Sequence, residues 1–376
     1  MALFLIALLL VYGGVHLYFF LKLKYLFGFG FPVNLIVALF LMFMVVSPIL
    51  IRVLEQSGWD SWLRHLAFLS YSWMGFIFLS FCFLLVFDVF WVTVFLTGTV
   101  QKSEVSGVIR LIYAFAITAG AFICFYGYFE AKTIGVTTVK IKTPIIQSAA
   151  DSIRIVQISD VHLGLIMRED RLLRILNKVE ELAPDILVST GDLVDGEMND
   201  LHHLSSFLKD INAPYGKFAV TGNHEFYAGI HQATAFIEAA GFRLLRDEAA
   251  LVKGSILIAG VDDPAEKGFG LNGNQSEMKN MKCFQGDYFR ILLKHQPTIA
   301  QQNGETPFDL QLSGHTHKGQ IAPFNLITAL FYPYLAGRYD LGEGHILYVS
   351  RGSGTWGPPM RFLSPPEVVA IDLVPG

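Results

Sequence analysis

Five short stretches of the chain combine carboxylates, imidazoles and glycines at spacings that suit divalent cations. They are Asp160-Val161-His162, Gly191-Asp192-Leu193-Val194-Asp195, Gly222-Asn223-His224-Glu225, His295 alone, and Gly314-His315-Thr316-His317. Taken singly, each has an ordinary explanation: a turn carboxylate, an Asn cap or a core histidine. Together they hold five of the 11 histidines, and that concentration points to a metal site. Two cations ~3.5–4 Å apart repel one another and need anionic screening, which a bridging carboxylate supplies. Asp192, in the only G-D-x-x-D of the chain, is the natural bridge. Carboxylates mixed with imidazoles suit manganese, iron or zinc better than calcium. No cysteine lies in the motifs, which excludes a thiolate zinc site. Glycines before Asp192, Asn223 and His315 let the backbone turn sharply and come close to the cations.

Each stretch follows a run of apolar, often branched residues: "IRIVQIS", "DILVST", "KFAVT", "FRILLK" and "FDLQLS". Runs of that length read as buried strands, and sheets of α/β proteins place their ligands beyond strand ends. Between the first two, "DRLLRILNKVEEL" (170–182) carries a helical stripe of Leu172, Leu173, Leu176, Val179 and Leu182 that stops at Pro184. Further strands are expected at "SILIAGV", "HILYVS" and "VVAIDLV". Residues 131–150 read as an exposed edge strand and linker. Residues 151–376 are therefore an α/β layered domain, with the strand order left open.

The rest of the chain is of another kind. Over 376 residues, 53% are hydrophobic and the mean hydropathy is +0.46, yet residues 1–130 hold only 11 charged side chains. Four apolar runs, about 2–21, 31–51, 66–97 and 111–129, are each long enough for the ~20-residue helix that crosses a bilayer. The first lacks the basic start and small-residue exit of a cleaved signal peptide. Four spans put the N-terminus and the soluble domain on one side. Basic residues flanking the spans number five on that side and four on the other, a split too even to decide the side, with the cytoplasm slightly favoured for the domain. Asp88 and His16 lie within spans, where a helix–helix hydrogen bond is the ordinary role for such a group. Cys82, Cys124 and Cys283 form no disulfide framework. Residues 131–376 carry 22 basic against 27 acidic residues, a poor surface for nucleic acid.

With motifs in the order D-x-H, G-D-x-x-D, G-N-H-E, His and G-H-x-H, the chain resembles the calcineurin-like metallophosphoesterases over about 160 residues. The resemblance implies a four-layer α/β/β/α sandwich behind an all-α bundle of four transmembrane helices. It also implies two divalent cations. One would be held by Asp160, His162, Asp192 and His317, the other by Asp192, Asn223, His295 and His315. His224 would stand outside both sets and protonate the leaving oxygen. Protein Ser/Thr phosphatases of the family carry an arginine after the second Asp of G-D-x-x-D; Gly196 stands there, which argues against that branch. The tail "GHTHKGQ", "YLAGRY" and "RGSGTWGPPMRF" is similar to a bacterial membrane-associated branch, which usually has Gly at the position of Lys318.

Weaker candidates for substrate contact are Lys318, Asp263, Arg351 and Arg361. Asp195 is expected to fix its loop or a neighbouring side chain. Glu225 is expected to hold His224 or a helix start. The functional expectation is a membrane-anchored phosphohydrolase cleaving a phosphoester or pyrophosphate bond. Some relatives in this branch act on lipid-linked phosphates, UDP-diacylglucosamine among them, so a membrane lipid is the expected partner. The apolar segment "IAPFNLITALFYPYLAGRY" beyond the metal histidines supports that expectation, because it could sit at the bilayer interface. The rivals are a tethered phosphodiesterase of soluble substrates and an idle scaffold, which would have lost a ligand.

Overall fold

The structure, a computed structural model, describes residues 2–55, 60–98, 101–196, 201–269, 286–299 and 307–376. Cys283 lies outside the described residues; Cys82 and Cys124 are free thiols. The chain divides into two compact units, Met1–Phe129 with Gly357–Met360, and Glu130–Trp356 with Arg361–Gly376.

The first unit is helical: α1 (Ala2–Phe27), α2 (Phe31–Glu55), α3 (Asp60–Leu96) and α4 (Lys102–Glu130). In hydrocarbon every backbone N–H and C=O must be satisfied within the segment, so apolar runs of this length form helices. Among the described residues, the stretches Phe31–Glu55, Trp62–Leu96 and Glu104–Glu130 are long and apolar enough to cross a bilayer. The first expected span falls within α1, of which the side chains up to residue 8 are outside the described set. The helices overrun the expected spans at their charged ends, as at Arg52 and Glu55. The two polar residues singled out in the spans are both partnered. Asp88 accepts hydrogen bonds from Tyr18 Oη at 2.7 Å and from Tyr113, and pairs with Lys22 Nζ at 2.5 Å. His16 accepts from Trp73 Nε1 at 2.9 Å and bonds the Tyr12 carbonyl at 2.8 Å.

The second unit is built on two six-stranded sheets. One has the order β1 (Gly135–Thr143), β12 (Glu367–Pro375), β2 (Ile153–Ile158), β3 (Ile186–Ser189), β4 (Lys217–Ala219), β5 (Arg243–Leu244). The other runs β10 (Gly337–Gly342), β11 (His345–Val349), β9 (Leu310–Ser313), β8 (Phe289–Leu293), β7 (Ile256–Gly260), β6 (Glu248–Val252). Strand periodicity explains the layering. In β2, Ile153 and Ile155 point into the core between the sheets, with Ile256, Ile258, Ile291 and Leu312. Val156 and Ile158 point the other way, onto α5 (Glu169–Leu182), α6 (Leu204–Asp210) and α8 (Ile230–Ala239). Of the expected stripe on α5, Leu172, Leu176 and Val179 are buried; Leu173 and Leu182 are half-buried, and Ile175, which the stripe did not include, is buried in their place. The helix stops at Ala183, in the left-handed conformation before Pro184. On the outer face of the second sheet lie Ala259, Val261, Leu292 and Phe308.

Strands β2, β3 and β4 are mutually parallel, as are β7, β8, β9 and β11. Each set therefore presents several C-terminal ends along one edge. Gln157 ties the two edges together, its Nε2 reaching Thr190 Oγ1 at 2.9 Å and the Ser313 carbonyl of the other sheet at 3.0 Å.

Candidate metal centre

The first sheet delivers Asp160 and His162 after β2, Asp192 after β3, and Asn223 and His224 after β4. The second delivers His295 after β8, and His315 and His317 after β9. Close approach between these loops is sterically enforced. A Cβ on Gly222 would stand 2.2 Å from Asp192 Oδ1, and one on Gly314 would stand 2.3 Å from Asp160 Oδ2. Either is impossible without moving a motif carboxylate. Asp160, His162, Asp192, His315 and His317 all have positive φ, from 48° to 72°. Non-glycine residues held there cost on the order of 1–3 kcal/mol each, and such strain collects at functional sites.

Three overlapping groups of donor atoms result: Asp160, His162 and His317 in one, Asp192, His295 and His315 in another, and His162, Asp192 and His224 in a third that shares members with both. In the first, His162 Nε2 faces His317 Nε2 at 3.0 Å, and His317 Nε2 lies 3.4 Å from Asp160 Oδ1. In the second, His315 Nδ1 faces His295 Nε2 at 3.2 Å, and His295 Nε2 lies 3.1 Å from Asp192 Oδ2. The same Asp192 Oδ2 lies 3.8 Å from His162 Nε2, so one carboxylate oxygen borders both groups. Asn223 brings a buried Oδ1 that no protein atom satisfies. It stands beside Asp192, whose Oδ1 accepts the backbone N–H of His224 at 2.8 Å.

Electrostatics follow from this packing. Burial alone would raise the Asp192 carboxyl, but the surrounding imidazoles, His295 foremost, hold it well below its usual range. Burial pushes the Asp160 carboxyl up to about 6. Burial and the neighbouring positive charges push His162 down to about 4 and His315 down to about 3, so both rings are neutral near pH 7 and offer lone pairs. His224 goes the other way. Burial opposes its charge, but the carboxylates of Asp192 and Asp195 outweigh that and raise it to about 9. Its Nδ1 is tied to Asp195 Oδ1 at 2.8 Å, which gives Asp195 its role. Glu225 does not touch the imidazoles through its carboxylate. It accepts the backbone N–H groups of Asp192, Leu193 and Val194 at 2.8–3.2 Å, which moulds the G-D-x-x-D loop, and that of Gly222 at 2.6 Å, which caps the helix starting at Asn223, the second of its two expected roles.

The profile of the calcineurin-like phosphoesterase family matches residues 153–319, from the start of β2 through the last motif histidine. A metallophosphoesterase of Aquifex aeolicus is 41% identical over 66% of this chain and 95% of its own length. The YkuE metallophosphoesterase of Bacillus subtilis is 35% identical over 73% of this chain and 97% of its own. The chain belongs to the calcineurin-like phosphoesterase family. It is a metal-dependent phosphoesterase, and its apolar helices make it a membrane protein. A bovine transmembrane protein with a metallophosphoesterase domain is 32% identical over 65% of this chain and 58% of its own.

The residues of this metallophosphoesterase fit divalent cations on structural grounds. Donor atoms ~2.1 Å from one metal and at right angles lie about 3.0 Å apart, the spacing found between the facing imidazole nitrogens. The orphaned Asn223 Oδ1 is a further fit, since buried polar atoms are almost always satisfied.

The weaker substrate candidates part company. Lys318 follows His317 directly, and its ammonium makes no ion pair among the described residues. Asp263 is buried and holds Gln296 Nε2 at 2.9 Å and the Ala265 N–H at 2.8 Å, supporting the segment next to His295. Neither arginine is turned to a phosphate. Arg351 pairs with Glu367 at 2.5 Å. Arg361 is fully buried, donating to the carbonyls of Gly354, Arg351 and His317 and lying 3.0 Å from His317 Nδ1. A guanidinium has five donors, and backbone carbonyls of the surrounding turns absorb them here.

Three aromatic residues that the motifs did not flag also line the centre. Tyr332 Oη bonds His315 Nε2 at 2.8 Å. The rings of Tyr227 and Trp356 lie 5.3 and 5.8 Å from that of His224. Tyr227 was within reach of sequence reasoning, because a helix places position i+4 over Asn223.

Proposed function

We propose that this enzyme is a dinuclear phosphohydrolase of a membrane lipid carrying a phosphate or pyrophosphate. Asp160, His162, Asp192 and His317 hold one cation; Asp192, Asn223, His295 and His315 hold the other. The observation that carries the dinuclear reading is Asp192 Oδ2, the one oxygen bordering both donor groups. Manganese, iron or zinc suits this mixture of carboxylate and imidazole. When bound, such a pair neutralises charge on a phosphoryl group and lowers the pKa of a water.

The chain's own residues do the rest. Asp195 holds His224 by Nδ1, leaving Nε2 to deliver a proton to the departing oxygen. Lys318 supplies a cation to a phosphate oxygen. Glu225, through four N–H groups, keeps Asp192 in place. Residues 1–130 anchor the catalytic part, 151–376, to the bilayer through four spans, with the cytoplasmic side favoured by the basic residues.

The lipid reading rests on α9 (Phe324–Phe331), which begins seven residues after His317, the last motif histidine. Its sequence, "FNLITALF", buries no side chain: Leu330 is 81% exposed, Phe331 73% and Leu326 67%. An ordinary surface helix turns an apolar stripe inward; this one does not. In the same chain, a span ends at Glu130 and β1 starts at Gly135, so the catalytic unit is never far from a bilayer. An acyl chain lying on α9 gains ~0.8 kcal/mol per buried methylene, so three methylenes are worth about 2 kcal/mol, or roughly 50-fold.

The test compares a diacylated phospho-substrate with its deacylated headgroup in detergent, then repeats the comparison with Leu330→Ser and Phe331→Ser. The diacyl form should be preferred by at least roughly 50-fold, and both substitutions should shrink the preference. Equal kcat/KM for the two substrates would remove the lipid and leave a tethered phosphodiesterase of soluble esters.

A further inference from the structure

We propose that two tyrosines, Tyr227 and Tyr332, are positioning residues for the second cation position, each fixing one of its neutral ligands so that the donor atom is free. The inference rests on the dinuclear reading above and adds what holds one of its two positions in order.

His315 is the clearer case. Its Nδ1 faces His295 Nε2 at 3.2 Å, and its Nε2 lies 2.8 Å from the Tyr332 phenol oxygen. A neutral imidazole has one lone pair, and the partner of one nitrogen decides which nitrogen bears the proton. The contact serves a cation when Nε2–H donates and the phenol oxygen accepts, the direction that leaves the lone pair on Nδ1, facing the other donors. His295 is set in the same sense by a backbone group, its Nδ1–H donating to the Thr190 carbonyl at 2.8 Å. Among the three non-carboxylate ligands of this position, His315 is therefore the one whose tautomer depends on a side chain.

Asn223 is the second case. An amide offers its oxygen to a cation only if its nitrogen is turned away. Tyr227 stands one helical turn beyond Asn223 on α7 (Asn223–Ala228), within reach of its amide, while Asn223 Oδ1 is buried with no protein partner. A phenol oxygen that takes the amide N–H sets which end of the side chain faces Asp192.

The first position is supported differently. His317 Nδ1 lies against the buried Arg361, and His162 Nδ1 has no hydrogen-bond partner. Among the described residues no phenol hydrogen-bonds either ring. Loss of the two phenol oxygens should thus weaken one cation and spare the other.

The experiment uses the full-length protein in detergent: wild type, Tyr227→Phe, Tyr332→Phe, the double variant, and Tyr334→Phe as control. Tyr334 packs on the ring of Tyr339 and, among the described residues, bonds no motif residue. Metal-stripped protein is titrated with Mn²⁺, bound metal is measured by elemental analysis, and spin–spin coupling of a filled pair is read by electron paramagnetic resonance. Each single substitution should weaken the second Mn²⁺ by about 10–100-fold and leave the first unchanged. Coupling should be lost at limiting Mn²⁺ and return, with turnover, at excess Mn²⁺; that return also shows that the variants are folded. A double variant that holds both ions as tightly as wild type, or that loses both equally, would overturn the inference. Wild-type protein that binds a single ion would overturn the dinuclear reading itself.

Discussion

Two carboxylates withdrawn from water, Asp88 in α3 and Asp192 after β3, are treated in opposite ways. Asp88 is met by an ammonium, Lys22 at 2.5 Å, and by two phenols, Tyr18 and Tyr113. Its charge is neutralised inside the protein. Asp192 is 2% exposed, and among the described residues no lysine or arginine pairs with it or with Asp160. Its neighbours are imidazoles and backbone N–H groups. A buried carboxylate is expensive without compensation; here the imidazoles of His295 and His224, both raised by Asp192, supply part of it, and a bound divalent cation would supply more. The bundle closes its electrostatics with its own side chains. The catalytic unit meets its carboxylates with imidazoles, groups that can also give their lone pairs to a cation.

The comparison is broken most severely at Asp192. Replacing it with Ala removes the shared oxygen, so both cations should weaken together and turnover should fall by on the order of 10³-fold or more, several kcal/mol of transition-state stabilisation. Near-normal turnover in that variant would sink the bridge. Next in size is His224→Ala, with an expected loss of ~10²–10⁴-fold on alkyl esters and little change in metal content. Aryl esters, whose leaving groups need no proton, should be less affected. His224 acts in its protonated form, which the surrounding carboxylates favour up to about pH 9; two adjacent cations lower that value. Activity on alkyl esters should therefore fall as pH rises, at a midpoint below 9, and aryl esters should lack this limb. Matching alkaline limbs would argue against a general acid.

The bundle offers the smallest effect on catalysis. Asp88→Ala strands Lys22 and should cost about 3 kcal/mol of stability, seen as a lower melting temperature in detergent. The pair Lys22→Met with Asp88→Leu should recover most of it. Turnover per folded molecule should be unchanged in both. A large drop in turnover at full folding would mean that Asp88 takes part in the reaction.

What was legible in the sequence follows a physical rule. The eight motif residues could be read because each immediately follows a strand, and parallel strands bring their ends to one edge. The helix at 170–182 could be read because its stripe has one period throughout. Contacts made by residues far apart in the chain were hidden. Nothing in the spacing pairs Lys22 with Asp88, 66 residues on, or Tyr332 with His315 across α9. The arginines misled because a guanidinium satisfies a phosphate and a ring of backbone carbonyls equally well. In α9, composition told how apolar the segment is but not which way it faces; no helix stripe existed to announce that its half-buried face is that of Asn325 and Thr328 and that its apolar side chains are exposed.

The central claim is that the carboxylates and imidazoles around Asp192 hold two cations. Elemental analysis of the purified chain, without added metal and after Mn²⁺ loading and desalting, tests it most directly. The account predicts two divalent ions per chain in the loaded wild type and the loss of both in Asp192→Ala. One ion per chain, or two that survive the substitution, would contradict it.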